Sequence, residues 1–187
     1  MVAERQAQAQ QNQWTLEQYD LNNDNLADVF KYYAQKPNPQ NPASTLPVLV
    51  RKEVDVNHDG TLDMIQLFDD TERLTEQRFD LDFDGHTDEV AFFEEGKVRK
   101  KEMDVNFDGT TDAIKYYGPE FLERIEIDRN LDGKMDRWEY YEKGILDRIG
   151  FDDDYNGEVD RWQRKDPLPE TPAPTNAEQA PATLPQP

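Results

Sequence analysis

The chain has 187 residues, enough for one domain of ordinary size, and a formal net charge of −20 from 41 acidic against 21 basic residues. Charge this one-sided repels nucleic-acid phosphate and anionic membrane surfaces and suits multivalent cations. The absence of cysteine excludes disulfides, thiolate metal sites and a cysteine nucleophile, and no apolar run reaches the ~18 residues of a spanning helix.

Low hydrophobic content (35%) and a mean hydropathy of −1.02 lean toward disorder, but the chain is 11% aromatic and its aromatics recur at fixed places. A folded domain with a thin core is expected. Residues 1–12 are Gln/Ala-rich and read as a flexible segment in which a short helix can form. They lack the apolar middle of a signal peptide.

From residue 13 the chain repeats. Loops of the form D-x-N-x-D-G-x-x-D begin at Asp20, Asp55, Asp80, Asp104, Asp128 and Asp152, mostly 24 residues apart. A strand over 13–19 precedes the first. The longer first spacing comes from a polar, Pro-rich insertion between Lys36 and Pro47, placed where other repeats have a short turn. In the fourth repeat, Ala113–Tyr117 reads as a strand rich in β-formers, Gly118-Pro119-Glu120 as a turn and Phe121–Ile127 as the returning strand. Each repeat is therefore a β-hairpin, and each loop joins one hairpin to the next.

The register supports this. Two residues after each loop stand Phe30, Ile65, Val90, Ile114, Trp138 and Trp162; Tyr32, Leu67, Phe92, Tyr116 and Tyr140 follow at four, on the same strand face. Six residues before each loop stand Trp14, Leu49, Leu74, Val98, Leu122 and Leu146; one before it stand Tyr19, Val54, Phe79, Met103, Ile127 and Phe151. In a flat strand these last two columns face opposite ways, and the residue just before the loop is expected to pack beneath it. About 12 strands at ~4.8 Å spacing make a sheet on the order of 55 Å long. Large open sheets twist or curl. The expected fold is all-β: an elongated, twisted antiparallel meander or solenoid over residues 13–165, followed by a Pro-rich tail or linker over 166–187.

The loops carry the chemistry. Calcium takes six to eight oxygen ligands, and short Asp/Asn side chains at positions 1, 3, 5 and 9, with a carbonyl from position 7 and a turn at position 6, supply them. The predicted ligands are Asp20, Asn22, Asp24 and Asp28; Asp55, Asn57, Asp59 and Asp63; Asp80, Asp82, Asp84 and Asp88; Asp104, Asn106, Asp108 and Asp112; Asp128, Asn130, Asp132 and Asp136; and Asp152, Asp154, Asn156 and Asp160. The carbonyls are those of Leu26, Thr61, His86, Thr110, Lys134 and Glu158. Position 6 is Gly in five loops and Asn25 in the first, which makes that loop the weakest match. A helical EF-hand is excluded: it needs Glu at position 12, and here only Glu139 provides one in loops two to six. The loops resemble those of thrombospondin type 3, dockerin and FG-GAP/VCBS repeats. That resemblance implies calcium, its ligands and an extracellular or periplasmic setting.

Nineteen of the acidic residues are aspartates at ligand positions, so metal-free loops should spread; six calcium ions would bring the net charge from −20 to −8. Two carboxylates ~4 Å apart repel by roughly 4 kcal/mol at an effective dielectric of 20. The paired aromatics such as Tyr32-Tyr33 and Tyr140-Tyr141 are read as core and cross-strand packing, with one of each pair left available to a partner. Arg51, Lys100, Arg124 and Arg148, four residues before a loop, are read as pairing with neighbouring carboxylates, and His58 and His86 as exposed variation. No nucleophile or phosphate-binding motif is present, so no enzymatic activity is expected. The expected role is a calcium-stabilised structural or adhesive scaffold outside the cytoplasm, with a protein or cell-surface partner. The alternatives are a calcium sensor or buffer, and an accessory domain of a secreted enzyme.

Overall fold

In the computed structural model, which describes residues 2–165, one helix precedes a single open sheet of 12 strands. The Pro-rich segment 166–187 lies outside the described residues. The helix α1 spans Val2–Gln11. The strands are β1 (Trp14–Tyr19), β2 (Val29–Asn38), β3 (Asn41–Val54), β4 (Met64–Phe68), β5 (Leu74–Phe79) and β6 (Glu89–Glu94). They continue as β7 (Lys97–Met103), β8 (Ala113–Tyr117), β9 (Leu122–Ile127), β10 (Arg137–Glu142), β11 (Ile145–Phe151) and β12 (Arg161–Arg164). Each strand pairs antiparallel with its neighbours in sequence, so the array is an unclosed meander. Every loop named above connects two strands at the same edge.

The hairpins contain a feature absent from the flat-strand expectation. Tyr140 pairs with Arg148 but Tyr141 with Leu146, so Asp147 is passed over in a β-bulge. The same shift passes over Val50, Thr75, Arg99 and Glu123 in the other hairpins. An extra residue inverts the alternation of side chains. Leu49, Leu74, Val98, Leu122 and Leu146 therefore share a face with Val54, Phe79, Met103, Ile127 and Phe151, contrary to the opposite facing expected. β1 has no bulge, and Trp14 lies on the other face, where its ring meets Tyr32 edge-on at 6.0 Å.

That other face carries a row of aromatics and cations. Arg124 lies 4.1 Å from the Tyr116 ring centroid, Arg148 4.8 Å from that of Tyr140, and Lys100 5.5 Å from that of Phe92. The same cations pair with carboxylates on their own strands: Arg51 with Glu53 at 2.6 Å, Lys100 with Glu102 at 2.6 Å and Arg124 with Glu126 at 3.2 Å. Arg148 pairs with the adjacent Asp147 at 3.2 Å. The basic column is thus engaged within the sheet, as its spacing suggested.

The Pro-rich insertion is not a loose loop. It lengthens β2 and β3 into a projecting ribbon in which Gln35 pairs with Pro47 and Pro37 with Thr45. β1 reaches only Ala34 and β4 only Arg51, so the prolines lie where no outer strand needs an N–H.

The N-terminal segment, expected to be flexible with a possible short helix, contains α1, and this helix lies over the first hairpin. Ala9, Phe30 and Tyr32 form the hydrophobic cluster, with Trp14, Leu16 and Val50 packed around it. Arg5 sits 4.0 Å over the Phe30 ring and donates to Glu53 at 3.0 Å, and the Tyr32 hydroxyl donates to the same carboxylate at 3.0 Å. Elsewhere the sheet is one layer thick and most of its side chains are half-buried, those of β12 being exposed.

Candidate metal centre

Carboxylates are among the most enclosed side chains of the array. Asp28, Asp136 and Asp152 rank with Tyr32 as its most fully buried large side chains. Asp55, Asp63, Asp80, Asp88, Asp104, Asp112 and Asp128 are also buried. These ten are the first and ninth positions of adjoining loops. The two exposed members of the set, Asp20 and Asp160, stand at the ends, where no neighbouring loop among the described residues covers them.

Backbone bonds produce this stacking. The N–H of the ninth residue closes each loop onto the carbonyl just before it, as Asp112 does on Met103 at 2.9 Å. Its own carbonyl then accepts the N–H of the next loop's first residue: Asp55 to Asp28 at 2.8 Å, Asp80 to Asp63 at 2.9 Å, Asp104 to Asp88 at 2.7 Å, Asp128 to Asp112 at 2.8 Å and Asp152 to Asp136 at 2.9 Å. The loops therefore form a spine along one edge of the sheet.

Within a loop the carboxylates organise the backbone. Oδ1 of Asp104 accepts the Phe107 N–H at 2.7 Å and Oδ2 the Gly109 N–H at 2.7 Å; Asp55, Asp80 and Asp128 bond their loops the same way. This fold needs two left-handed residues. Position 6 was legible from its glycines. Position 4 was not: His58, Phe83, Phe107, Leu131 and Tyr155 hold φ of 60–66°. Such φ is unfavourable for bulky residues and is held here by the bonds to position 1. The ninth carboxylate binds the second residue, with Asp28 accepting the Leu21 N–H at 2.6 Å and Asp112 the Val105 N–H at 2.8 Å.

The predicted ligands come together unevenly. In loops three and six, where position 3 is also Asp, carboxylate oxygens of Asp80, Asp82 and Asp88, and of Asp152, Asp154 and Asp160, lie within 4.8 Å of one another. Asp84 stands outside the first group, because its Oδ1 accepts the His86 N–H at 2.8 Å and meets the His86 ring at 3.1 Å. Position 5 has the same local role elsewhere: Asp24, Asp59, Asp108 and Asp132 accept the N–H of Leu26, Thr61, Thr110 and Lys134. Asn156 does so for Glu158. Position 3, as Asn22, Asn57, Asn106 and Asn130, donates its amide to that same fifth residue at 2.9–3.1 Å.

The electrostatics follow from these contacts. The Thr61 and Thr110 hydroxyls hold the Asp59 and Asp108 carboxyls below the usual carboxylate range, and the Leu21 N–H followed by His58 does so for Asp28. Partial desolvation, with the charges of Asp84, Asp88 and Asp80 beside it, pushes the exposed Asp82 carboxyl up.

Two contacts were missed by sequence reasoning. His58, read as exposed variation, places Nδ1 2.9 Å from Asp28 in the preceding loop. Arg129 donates Nε to Asp136 at 2.6 Å. Arg129 had a visible signal: the second position is apolar in the first four loops, as Leu21, Val56, Leu81 and Val105, and cationic only here. Those four apolar residues are exposed, as are Phe83, Phe107, Leu131 and Tyr155 at position 4.

The fit of a cation to the spine rests on two atoms. Oδ1 of Asp63 and Oδ1 of Asp112 are buried and accept no hydrogen bond. An ionised oxygen so placed is costly unless a cation or donor meets it. The surrounding donors are all hard oxygens, which suit calcium, magnesium or manganese and not soft or thiophilic metals.

No family model and no curated protein matches the chain. Among solved structures, the crystal structure of accessory secretory protein 1, 2 and 3 in Streptococcus pneumoniae matches at 15% identity with a TM-score of 0.39. The match covers 63% of this chain and 19% of that one, and at this level it carries no functional argument. Among the described residues no helix is long and apolar enough to cross a membrane.

Proposed function

We propose that the protein is a calcium-binding hairpin array, a structural or adhesive scaffold working outside the cytoplasm, in which calcium at the loops fixes how one hairpin meets the next. The observation that carries this reading is the buried row of first- and ninth-position aspartates along one edge, with unbonded oxygens at Asp63 and Asp112. A chain of net charge −20 gains little by burying carboxylates against each other unless a cation joins them. Calcium is favoured over magnesium because the loops offer many flexible carboxylate and carbonyl oxygens and not a rigid octahedral set. Millimolar extracellular calcium would keep even weak loops filled.

In this reading the chain's residues bind and orient, and perform no covalent chemistry. Asp at position 1 arranges the turn, Asp at position 9 joins consecutive loops, and the side chains at positions 3 and 5 close the oxygen shell. The partner would be a protein or a cell-surface group, met through the aromatic face or the exposed loop edge. Calorimetric calcium titration, with small-angle scattering before and after chelation, tests the proposal. Uptake of several ions with retention of an elongated particle is expected, and chelation should loosen it. Absence of binding, or an unchanged melting temperature after verified metal removal, would sink the reading. Micromolar affinity with a large reversible change of shape would replace the scaffold by a sensor.

A further inference from the structure

The ninth-position aspartates share one hydrogen-bond pattern and differ at one atom. Oδ2 accepts the N–H of the second loop residue in every copy. Oδ1 is the variable atom. On Asp28 it meets His58 Nδ1 at 2.9 Å, and on Asp136 it meets Arg129 Nε at 2.6 Å. On Asp63 and Asp112, each 3% exposed, it is enclosed with no donor. Loops three and six carry a third carboxylate instead, from Asp82 and Asp154.

We propose that the six loops are of two kinds. Loops two, three, four and six take a divalent cation tightly. Loops one and five are locked by the chain itself, His58 and Arg129 standing where the metal's charge would act, and they bind metal weakly. The inference rests on the metal-binding reading above and refines it.

The chemistry of the two locks is sufficient. A guanidinium stays charged at all working pH and holds a carboxylate through a short, charge-assisted bond. The His58 Nδ1–H donates to Asp28 whether or not the ring is charged. Each lock also ties neighbouring elements. His58 belongs to loop two and holds loop one, while Arg129 lies 5.3 Å over the Phe151 ring, just before loop six. Both loops have further features that weaken metal capture: Asn25 replaces the glycine in the first, and Lys134 adds a second cation to the fifth. The array thus has metal-dependent joints and two joints that persist when calcium is low.

The test is calcium calorimetry on the full chain and three variants. Arg129→Gln removes the lock on loop five. His58→Phe removes that on loop one, and introduces a residue already held at the equivalent left-handed position, φ 66° at Phe83 and 62° at Phe107. Arg99→Gln makes the same charge change as Arg129→Gln in a strand residue that pairs with Glu94 at 3.2 Å. The native chain should show tight binding at four of its six loops. Arg129→Gln and His58→Phe should each raise that to five, the gained site tightening on the order of tenfold or more, while Arg99→Gln leaves it at four. Circular dichroism in calcium checks that each variant folds, and either lock variant suffices if the other does not. Six equivalent sites in the native chain, or an Arg129→Gln titration equal to that of Arg99→Gln, would overturn the two-class assignment and leave metal binding standing. No calcium uptake by the native chain would remove the metal reading, and this inference with it.

Discussion

Asp112→Asn separates a metal-dependent joint from a merely polar one by the sign of its effect. Asp112 is 3% exposed; Oδ2 accepts N–H groups from Val105 and Asn106 at 2.8 and 3.1 Å, and Oδ1 has no donor. An amide keeps an acceptor for both N–H bonds and removes the buried charge. Without metal, relief of an orphaned ionic oxygen is expected to stabilise the array by about 1–3 kcal/mol. In calcium the same change weakens one filled loop, which at 100-fold excess over its dissociation constant contributes about 2.7 kcal/mol. A kilocalorie corresponds to roughly 2–4 °C in a domain of this size. Thermal melts in EDTA should therefore rise by a few degrees and melts in millimolar calcium should fall by a few to ten. A shift of the same sign in both conditions would refute the reasoning. It would mean that the carboxylate is a hydrogen-bond acceptor and nothing more.

Glu53→Ala leaves Arg5 without its carboxylate and the Tyr32 hydroxyl without its acceptor in a buried network, so a loss of about 3–5 kcal/mol is expected, with faster hydrogen exchange across β2 and β3 and reduced helical signal. Unchanged helicity and stability would show that α1 is not held there. Gly133→Ala places a side chain at φ 87°, and should cost roughly 1–2 kcal/mol in a denaturant melt; no loss would show that loop five rearranges freely. Metal-free protein should lose stability in acid. Asp59, Asp108 and Asp84 have carboxyls lowered by the Thr61 hydroxyl, the Thr110 hydroxyl and the His86 N–H. Their contribution is complete above the unfolded value of about 3.9 and disappears as pH falls through the lower folded values. Acid melts followed by circular dichroism check this, and a transition centred above pH 5 would contradict it.

Much of the site was legible because it is written in short-range chemistry. Six copies of Asp, Asn and Gly at fixed offsets define a loop that few other backbones satisfy, and the strands between them alternate with period two. What escaped was of longer range or of opposite sense. The bulges at Val50, Thr75, Arg99, Glu123 and Asp147 involve residues with no common chemistry, so no column marked them. The left-handed fourth position was hidden for the same reason, since Phe107 and Leu131 do not advertise positive φ. The insertion looked like a loop because prolines argue against central strands, and the structure places them in a ribbon that extends past its neighbours.

By itself, the sequence determined the repeat, the hairpin-and-loop order, the all-β class and the oxygen-rich loops, because each depends on residues near one another along the chain. Only the tertiary structure decided that the first and ninth aspartates of adjoining loops would be among the most enclosed polar groups in the array. Burial there arises from loop-to-loop stacking through backbone bonds such as Asp128 to Asp112, and these join residues 16 to 27 positions apart with no side-chain signature. The same stacking sets His58 against Asp28, 30 residues away, and closes off the oxygens of Asp63 and Asp112. Which carboxylates meet a cation of the chain, and which are left needing one, is a property of neighbours in space.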